Sequence, residues 1–246
     1  MQKLALVALI GITSSAVFVG AAAAIGGNSF HGLDLISSFD IDRPDCQEIA
    51  GATATSRDLD WDGSDHVSIA VPAHSQYSPS NGPRLHVTGD PQFLAHLRVR
   101  DGRIELDCHI THEQREKYRD AMVEMTLPGR TFQAFGIAGY GNLALQKLNQ
   151  PMVKVSIAGS GKINADGKVE HAELHIAGSG DIDMGQVTTE VSDVHIAGSG
   201  NTDIAPTEAA DIHIAGSGDV NLHTSPKTLE THIAGSGRIH HLASGG

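Results

Sequence analysis

The segment Ile-Ala-Gly-Ser-Gly recurs five times, starting at Ile157, Ile176, Ile196, Ile214 and Ile233, and a degenerate first copy reads Ile137-Ala138-Gly139-Tyr140-Gly141. Successive isoleucines are 20, 19, 20, 18 and 19 residues apart. A period this short stacks one small unit on the next instead of closing a globule. In Val194-His195-Ile196-Ala197 apolar residues alternate with a histidine, which puts one face of a strand in a core and the other in water. Gly198-Ser199-Gly200 interrupts that alternation with two residues that lack a Cβ and can turn sharply through positive φ. It resumes after the corner, as in Asp181-Ile182-Asp183-Met184 and Asp219-Val220-Asn221-Leu222. The predicted turn glycines are Gly159, Gly161, Gly178, Gly180, Gly198, Gly200, Gly216, Gly218, Gly235 and Gly237. The links between copies, such as Gly185 to Glu190, are short, polar and without helical periodicity, which excludes helical and leucine-rich repeats. The predicted fold is all-β, a parallel β-helix or β-solenoid with rungs of about 19 residues. Six rungs at about 4.8 Å each make a stack about 29 Å tall.

Before the repeats, Met1-Gln2-Lys3 carries one positive charge, Leu4 to Ala24 is apolar or small, and Ala22-Ala23-Ala24 has the pattern of a cleavage site. This predicts a signal peptide over 1–24, with the alternative that the segment is retained as a membrane anchor. No later apolar run is long enough to span a bilayer, so the expected location is the periplasm or the cell exterior. The chain has 29 acidic against 17 basic residues and a net charge of −12, which argues against nucleic acid or an anionic membrane as partner. Cys46 and Cys108 are even in number and belong to no Cys-x-x-Cys motif, so in an exported chain they are expected to form a disulfide. An N-terminal β region is expected over 25–130, the repeats over 131–241 and a flexible tail over 242–246. Val67 to Val71 and Leu85 to Asp90 read as strands, and Leu97 to Leu106 as a hairpin around Asp101-Gly102. Whether this half is a separate domain or earlier, irregular turns of one coil stays open.

His175, His195, His213 and His232 precede the repeat isoleucine on four successive rungs, and Ser156 stands there on the rung before. Alternation places them on the outward face, as a column of imidazoles that could share a transition metal, or as surface positions copied when the repeat was duplicated. Ser160, Ser179, Ser199, Ser217 and Ser236 make a second column whose hydroxyls could bond along the stack, a structural role and not that of a nucleophile. Other motifs fail. Gly159-Ser160-Gly161-Lys162 lacks the earlier glycine and the following Ser or Thr of a phosphate loop. Gly178-Ser179-Gly180-Asp181 lacks the nine-residue period of calcium-binding repeats. No helix pattern follows Gly136 to Gly141, so it is no dinucleotide loop. No cofactor is implied.

Recurrent strand, Gly-Ser-Gly, strand units after an N-terminal half that ends in Val123-Glu124-Met125-Thr126-Leu127-Pro128 resemble the head GIN domain family, also described as the auto-transporter adhesin head domain. The resemblance implies an exported bacterial β-solenoid of largely undefined activity. The expected function is a non-enzymatic structural or adhesive module presenting a repetitive face to a cell-envelope polymer, a glycan or a protein. One alternative is an enzyme acting on exported polysaccharide, with acids drawn from Asp181, Asp183 and Asp219. Another is metal binding through the histidine ladder. No amphipathic helix follows the last rung, Thr231 to His241, so charge, the tail or end-to-end pairing of two molecules must guard its open edge.

Overall fold

The computed structural model describes residues 43–111, 114 and 122–242; the expected signal segment and residues 243–246 lie outside them. The N-terminal half consists of β1 (Ser56–Leu59), β2 (His66–Ile69), β3 (Ala73–Tyr77), β4 (Leu85–Thr88), a helix α1 (Pro91–His96), β5 (Leu97–Arg100), β6 (Arg103–Leu106), β7 (Val123–Thr126) and β8 (Ala134–Gly139). The expected hairpin is β5 and β6, antiparallel around Asp101 and Gly102, which take φ of 47° and 69°. The strand expected to run to Asp90 stops at Thr88. Asp90 instead caps α1: its carboxylate accepts from the backbone N–H of Gln92 and Phe93 at 2.9 and 3.2 Å, and Pro91 opens the first turn.

The repeats fold as β9 (Gly141–Gly159), β10 (Lys162–Gly178), β11 (Asp181–Gly198), β12 (Thr202–Ile204), β13 (Pro206–Gly216), β14 (Asp219–Leu222), β15 (Thr228–Gly235) and β16 (Arg238–His241). They stack in parallel and in register, Ile176 on Ile157, Ile196 on Ile176, Ile214 on Ile196 and Ile233 on Ile214, making a β-solenoid of about 5 turns. The short polar links are strand as well: Gly185 to Glu190 lies inside β11, in parallel pairing with β10. Stacking satisfies the backbone of these links, and their alternate side chains turn inward, with Val187 and Thr189 buried. Thr189 meets Ser192 there, hydroxyl to hydroxyl at 3.0 Å.

The N-terminal half continues the same stack. β2 pairs in parallel with β8 and β3 with β9, and one apolar cluster runs from Val67 to Leu222. At the N-terminal end of that core Trp61, Tyr77 and Phe135 pack edge to face on Phe132 at 5.2 to 5.8 Å between ring centroids, and Tyr77 lies tilted against Phe135 at 4.9 Å. Cys46 and Cys108 are bonded, as expected.

The two glycines of each corner have different tasks. Gly198 has φ +137°, a region closed to β-carbons, and a Cβ there would lie 2.1 Å from the Gly178 carbonyl oxygen one rung below. Gly200 keeps an ordinary φ, so the expectation of positive φ at both is corrected. It is held to glycine by contact, since a Cβ would come within 2.1 Å of the Gly180 carbonyl oxygen and 2.7 Å of Ile176 Cγ2. The serine column is likewise joined by backbone and not by hydroxyls. The N–H of Ser179, Ser199, Ser217 and Ser236 donates to the carbonyl of Gly159, Gly178, Gly198 and Gly216, each at 2.8 Å, while the side chains face solvent.

Candidate functional site

Parallel in-register stacking turns each repeated position into a column, and the histidines form one. His175, His195, His213 and His232 lie ring on ring, with centroids 5.0, 5.0 and 4.7 Å apart and planes within 10° of parallel. The column continues toward the N-terminus as Ser156, Gly136 and Ser68. The column stands on the side of the strands away from the core, as alternation implies, but less of it is open to solvent than that position suggests. His175 is only 6% exposed, His195 and His213 are half-buried, and only His232 is open. Flat rings spaced like the backbone cover each other's faces, so burial deepens away from the open end of the stack.

A second column stands beside the first and was missed in reading the sequence. Glu173, Asp193, Asp211 and Glu230 occupy successive rungs, each two residues before a histidine and therefore on the same face. Their signal is an Asp/Glu-x-His triplet in four consecutive copies. Two residues beyond each histidine, Ala177, Ala197, Ala215 and Ala234 make a third, smooth column. Glu173 accepts from Lys154 Nζ at 2.8 Å and from His175 Nε2 at 2.6 Å. Burial pushes its carboxyl up, but the lysine and histidine outweigh that and hold it below the usual carboxylate range. The remaining acids pair less tightly: His171 Nε2 lies 2.8 Å from Asp193, and His213 Nε2 lies 3.1 Å from Asp211.

The acids considered for catalysis are engaged otherwise. Asp181, Asn201 and Asp219 form an Asx column just past the Gly-Ser-Gly corner. Each accepts, through a side-chain oxygen, the first backbone N–H of the rung above: Asn201 N–H to Asp181 at 3.1 Å, Asp219 N–H to Asn201 at 3.2 Å and Arg238 N–H to Asp219 at 2.9 Å. Asp183 accepts from Gly185 N–H at 3.1 Å. These bonds pin the turns, and the carboxylates lie along one edge instead of converging on a shared point.

Among the described residues, two groups bring metal-binding side chains within 4.8 Å of one another. Cys46, His96 and Cys108 are one, but their sulfurs are bonded to each other and offer no thiolate. Asp211, His213 and His232 are the other. Of the four histidines expected as a ladder, this group holds two; His175 and His195 lie outside it, and His175 Nε2 is bonded to Glu173.

Residues 95–226 match the family described as "Putative auto-transporter adhesin, head GIN domain". The chain belongs to the head GIN domain family. A Bacteroides fragilis structure described as a putative adhesin shares 18% identity and aligns over 75% of this chain and 95% of its own, with a TM-score of 0.55. Two others align less closely. A Parabacteroides distasonis structure described as a putative lipid binding protein has 17% identity, coverage of 76% and 96% and a TM-score of 0.47; a Parabacteroides merdae putative adhesin has 16%, 81% and 100%, and 0.45. The first likeness carries the fold and no more. No curated protein matches. The head GIN match covers the Asp/Glu-x-His triplets at Glu173, Asp193 and Asp211 and stops before β15 with Glu230 and His232.

The head GIN solenoid should lose stability on mild acidification because of its inner histidines. Burial drives His175 below the ordinary imidazole range, against the pull of Glu173, and it drives His195 down too, helped by His175 and His213. Nδ1 of His175 is buried without a partner, so a proton there would be an N–H with no acceptor. The groups facing the pair are Lys154, Glu173, Asp193, Asp211 and His213. With folded values below the unfolded one of about 6.5, the unfolded chain binds more protons once pH drops under that value. Stability should therefore be flat above about pH 6.5 and fall below it, until the folded rings also titrate. Urea midpoints between about pH 7.5 and 5.0 measure this, with His175 and His195 replaced by threonine as control. The same acid slope in the control would refute it.

Proposed function

We propose that the protein is an exported, non-enzymatic binding module whose contact surface is the face built from the acid, histidine and alanine columns. The observation that carries this reading is the register: four rungs present the same three side-chain positions in line. A rigid, periodic surface repays little of its affinity in ordering and fits a partner that repeats along its own length, a glycan or cell-envelope polymer. Membership in an adhesin-like family, the disulfide and the leader-like segment 1–24 support export. Engagement of Asp181, Asp183 and Asp219 in backbone hydrogen bonds weighs against a polysaccharide-cleaving site. A glycan array probed with the purified chain, with product analysis of the glycans it retains, tests this. Binding without cleavage, lost when Ala197 and Ala215 are replaced by arginine, is the expected result; cleaved product, or binding indifferent to those changes, rejects the reading.

A second reading is favoured by the convergence of Asp211, His213 and His232. Two imidazoles and a carboxylate form a His₂Asp set of the kind that binds Zn²⁺ or Ni²⁺ with positions left for water. Calorimetric titration with Zn²⁺ should give one site, abolished in His232→Ala and retained in His175→Ala. No heat, or equal loss in both variants, rejects it.

A further inference from the structure

The two ends of the solenoid differ. The N-terminal end is closed by β1 on β4, the β5–β6 hairpin, α1, the aromatic cluster and the disulfide. At the other end β15 and β16 are edge strands among the described residues, each paired on one side only. The core position there is open: Ile233 is 43% exposed, while Ile157, Ile176, Ile196 and Ile214 are 1 to 2% exposed. We propose that two copies of the chain pair tail to tail through β15, antiparallel and centred on Thr231, about a twofold axis normal to that sheet.

The hydrogen-bond directions select the register. In a parallel ladder a residue turns both its N–H and its C=O toward the same neighbour, and successive residues alternate. Lys154 N–H donates to the Gln133 carbonyl and Ser236 N–H to the Gly216 carbonyl, one rung back in each case. Lys154 shares its column with Glu230, so Glu230, His232 and Ala234 face β13, and Leu229, Thr231 and Ile233 turn their backbone groups to the free edge. Centring an antiparallel pair on Thr231 makes those three residues the hydrogen-bonded positions. Thr231 then meets Thr231 of the second copy, and Leu229 meets Ile233, so every outward N–H and C=O of the three is matched.

The side chains fit that same register. Leu229, Thr231 and Ile233 stand in columns whose other members, such as Ala210, Ile212 and Ile214, face the core. The Leu229 to Ile233 pairs would extend that core from one copy into the next. On the outer face Glu230 would oppose His232 of the second copy, a complementary pair repeated by symmetry. A slip of one residue sets Leu229 against His232 and mixes the two faces. Within the eight-residue strand Thr228–Gly235, centring on Leu229 pairs only residues 228–230 and centring on Ile233 only 231–235, whereas centring on Thr231 pairs 228–234. Thr231 takes the place held by Val155, Leu174, Val194 and Ile212 on earlier rungs, which keeps the mouth of the coil wettable before association. Self-complementarity about a single residue is what singles out a second copy from other extended segments.

Light scattering after gel filtration, over a concentration series of the full chain, tests this. The expected result is a mass that doubles as concentration rises and stays monomeric in Thr231→Pro, which deletes an N–H not used within the coil and is tolerated on an edge strand. Ile233→Lys should act likewise and serves if the proline variant misfolds by circular dichroism. Register is tested by oxidation. Across the axis the two Cα atoms at position 231 would lie about 5.5 Å apart, inside the disulfide range of about 4.4 to 6.8 Å, so Thr231→Cys should give a covalent dimer. Glu230→Cys should not, because its own copy is two residues out of register. A monomer at every concentration, a dimer untouched by the variants, or equal cross-linking at both positions overturns the proposal.

Discussion

Replacing Gly198 by valine is expected to destabilise the solenoid by about 4 kcal/mol or more, combining the strain of a forbidden φ with overpacking against the rung below. The corner places this residue at φ +137°, and a Cβ would sit 2.1 Å from the Gly178 carbonyl oxygen, which is backbone and bonded in its turn to Ser199 N–H. Relief would require parting two rungs, and that exposes Ile176 and Ile196 together. Because a solenoid is held by contacts between nearest rungs, the damage should spread to the coils beyond β11 and not remain local. Ser199→Val, one position away on an exposed side chain, should change stability by no more than about 0.5 kcal/mol. Urea unfolding of the two variants beside the parent chain measures the contrast. A Gly198→Val midpoint close to that of Ser199→Val would mean that the rungs are not pinned at this corner.

The corner also shows why so much of the fold was legible. Parallel in-register stacking converts a spacing along the chain into a column in space, so five copies of Ile-Ala-Gly-Ser-Gly name the core ladder, the turn and the histidine stack at once. Other features depended on contacts that spacing does not encode. Alternation says which face His175 lies on, but not that Glu173, Lys154 and the ring of His195 would bury it. The acid column and the Asp90-Pro91 helix start were written in the residues and could have been read, the first from Asp/Glu-x-His and the second from an N-cap followed by proline. The links were harder. Gly185 to Glu190 reads only as a short polar link until parallel neighbours supply its hydrogen bonds and draw Val187 and Thr189 inward.

Breaking the Cys46–Cys108 bond is expected to cost about 4 kcal/mol, the loop-closure entropy that a bridge across some sixty residues removes from the unfolded chain. The bond reinforces a segment that is otherwise held by hydrogen bonds, Ile49 to the Gln92 side chain at 2.8 and 3.1 Å, Gln47 to His96 at 2.9 Å and Cys46 to Gln114 at 2.8 Å. Among the described residues, that segment meets the end of the hairpin through the Asp45 to His109 bridge, with Cys46 N–H on the His109 carbonyl at 2.9 Å and His109 N–H on the Pro44 carbonyl at 2.8 Å. Arg43 adds a 2.7 Å pair with Glu105. These contacts close the capped end of the core, so their loss should loosen the first coil before the regular rungs, the reverse of the damage expected at Gly198. Hydrogen exchange would resolve the difference, with β5 and β6 losing protection in the Cys46→Ala/Cys108→Ala chain while β10 and β11 keep theirs. Urea unfolding with and without reductant gives the magnitude, and a reduced protein within about 1 kcal/mol of the oxidised one would show that the cap holds without its bridge. If the bridge contributes as expected, a reducing compartment would hold the chain in its weaker form and an oxidising one in the form whose cap is fastened.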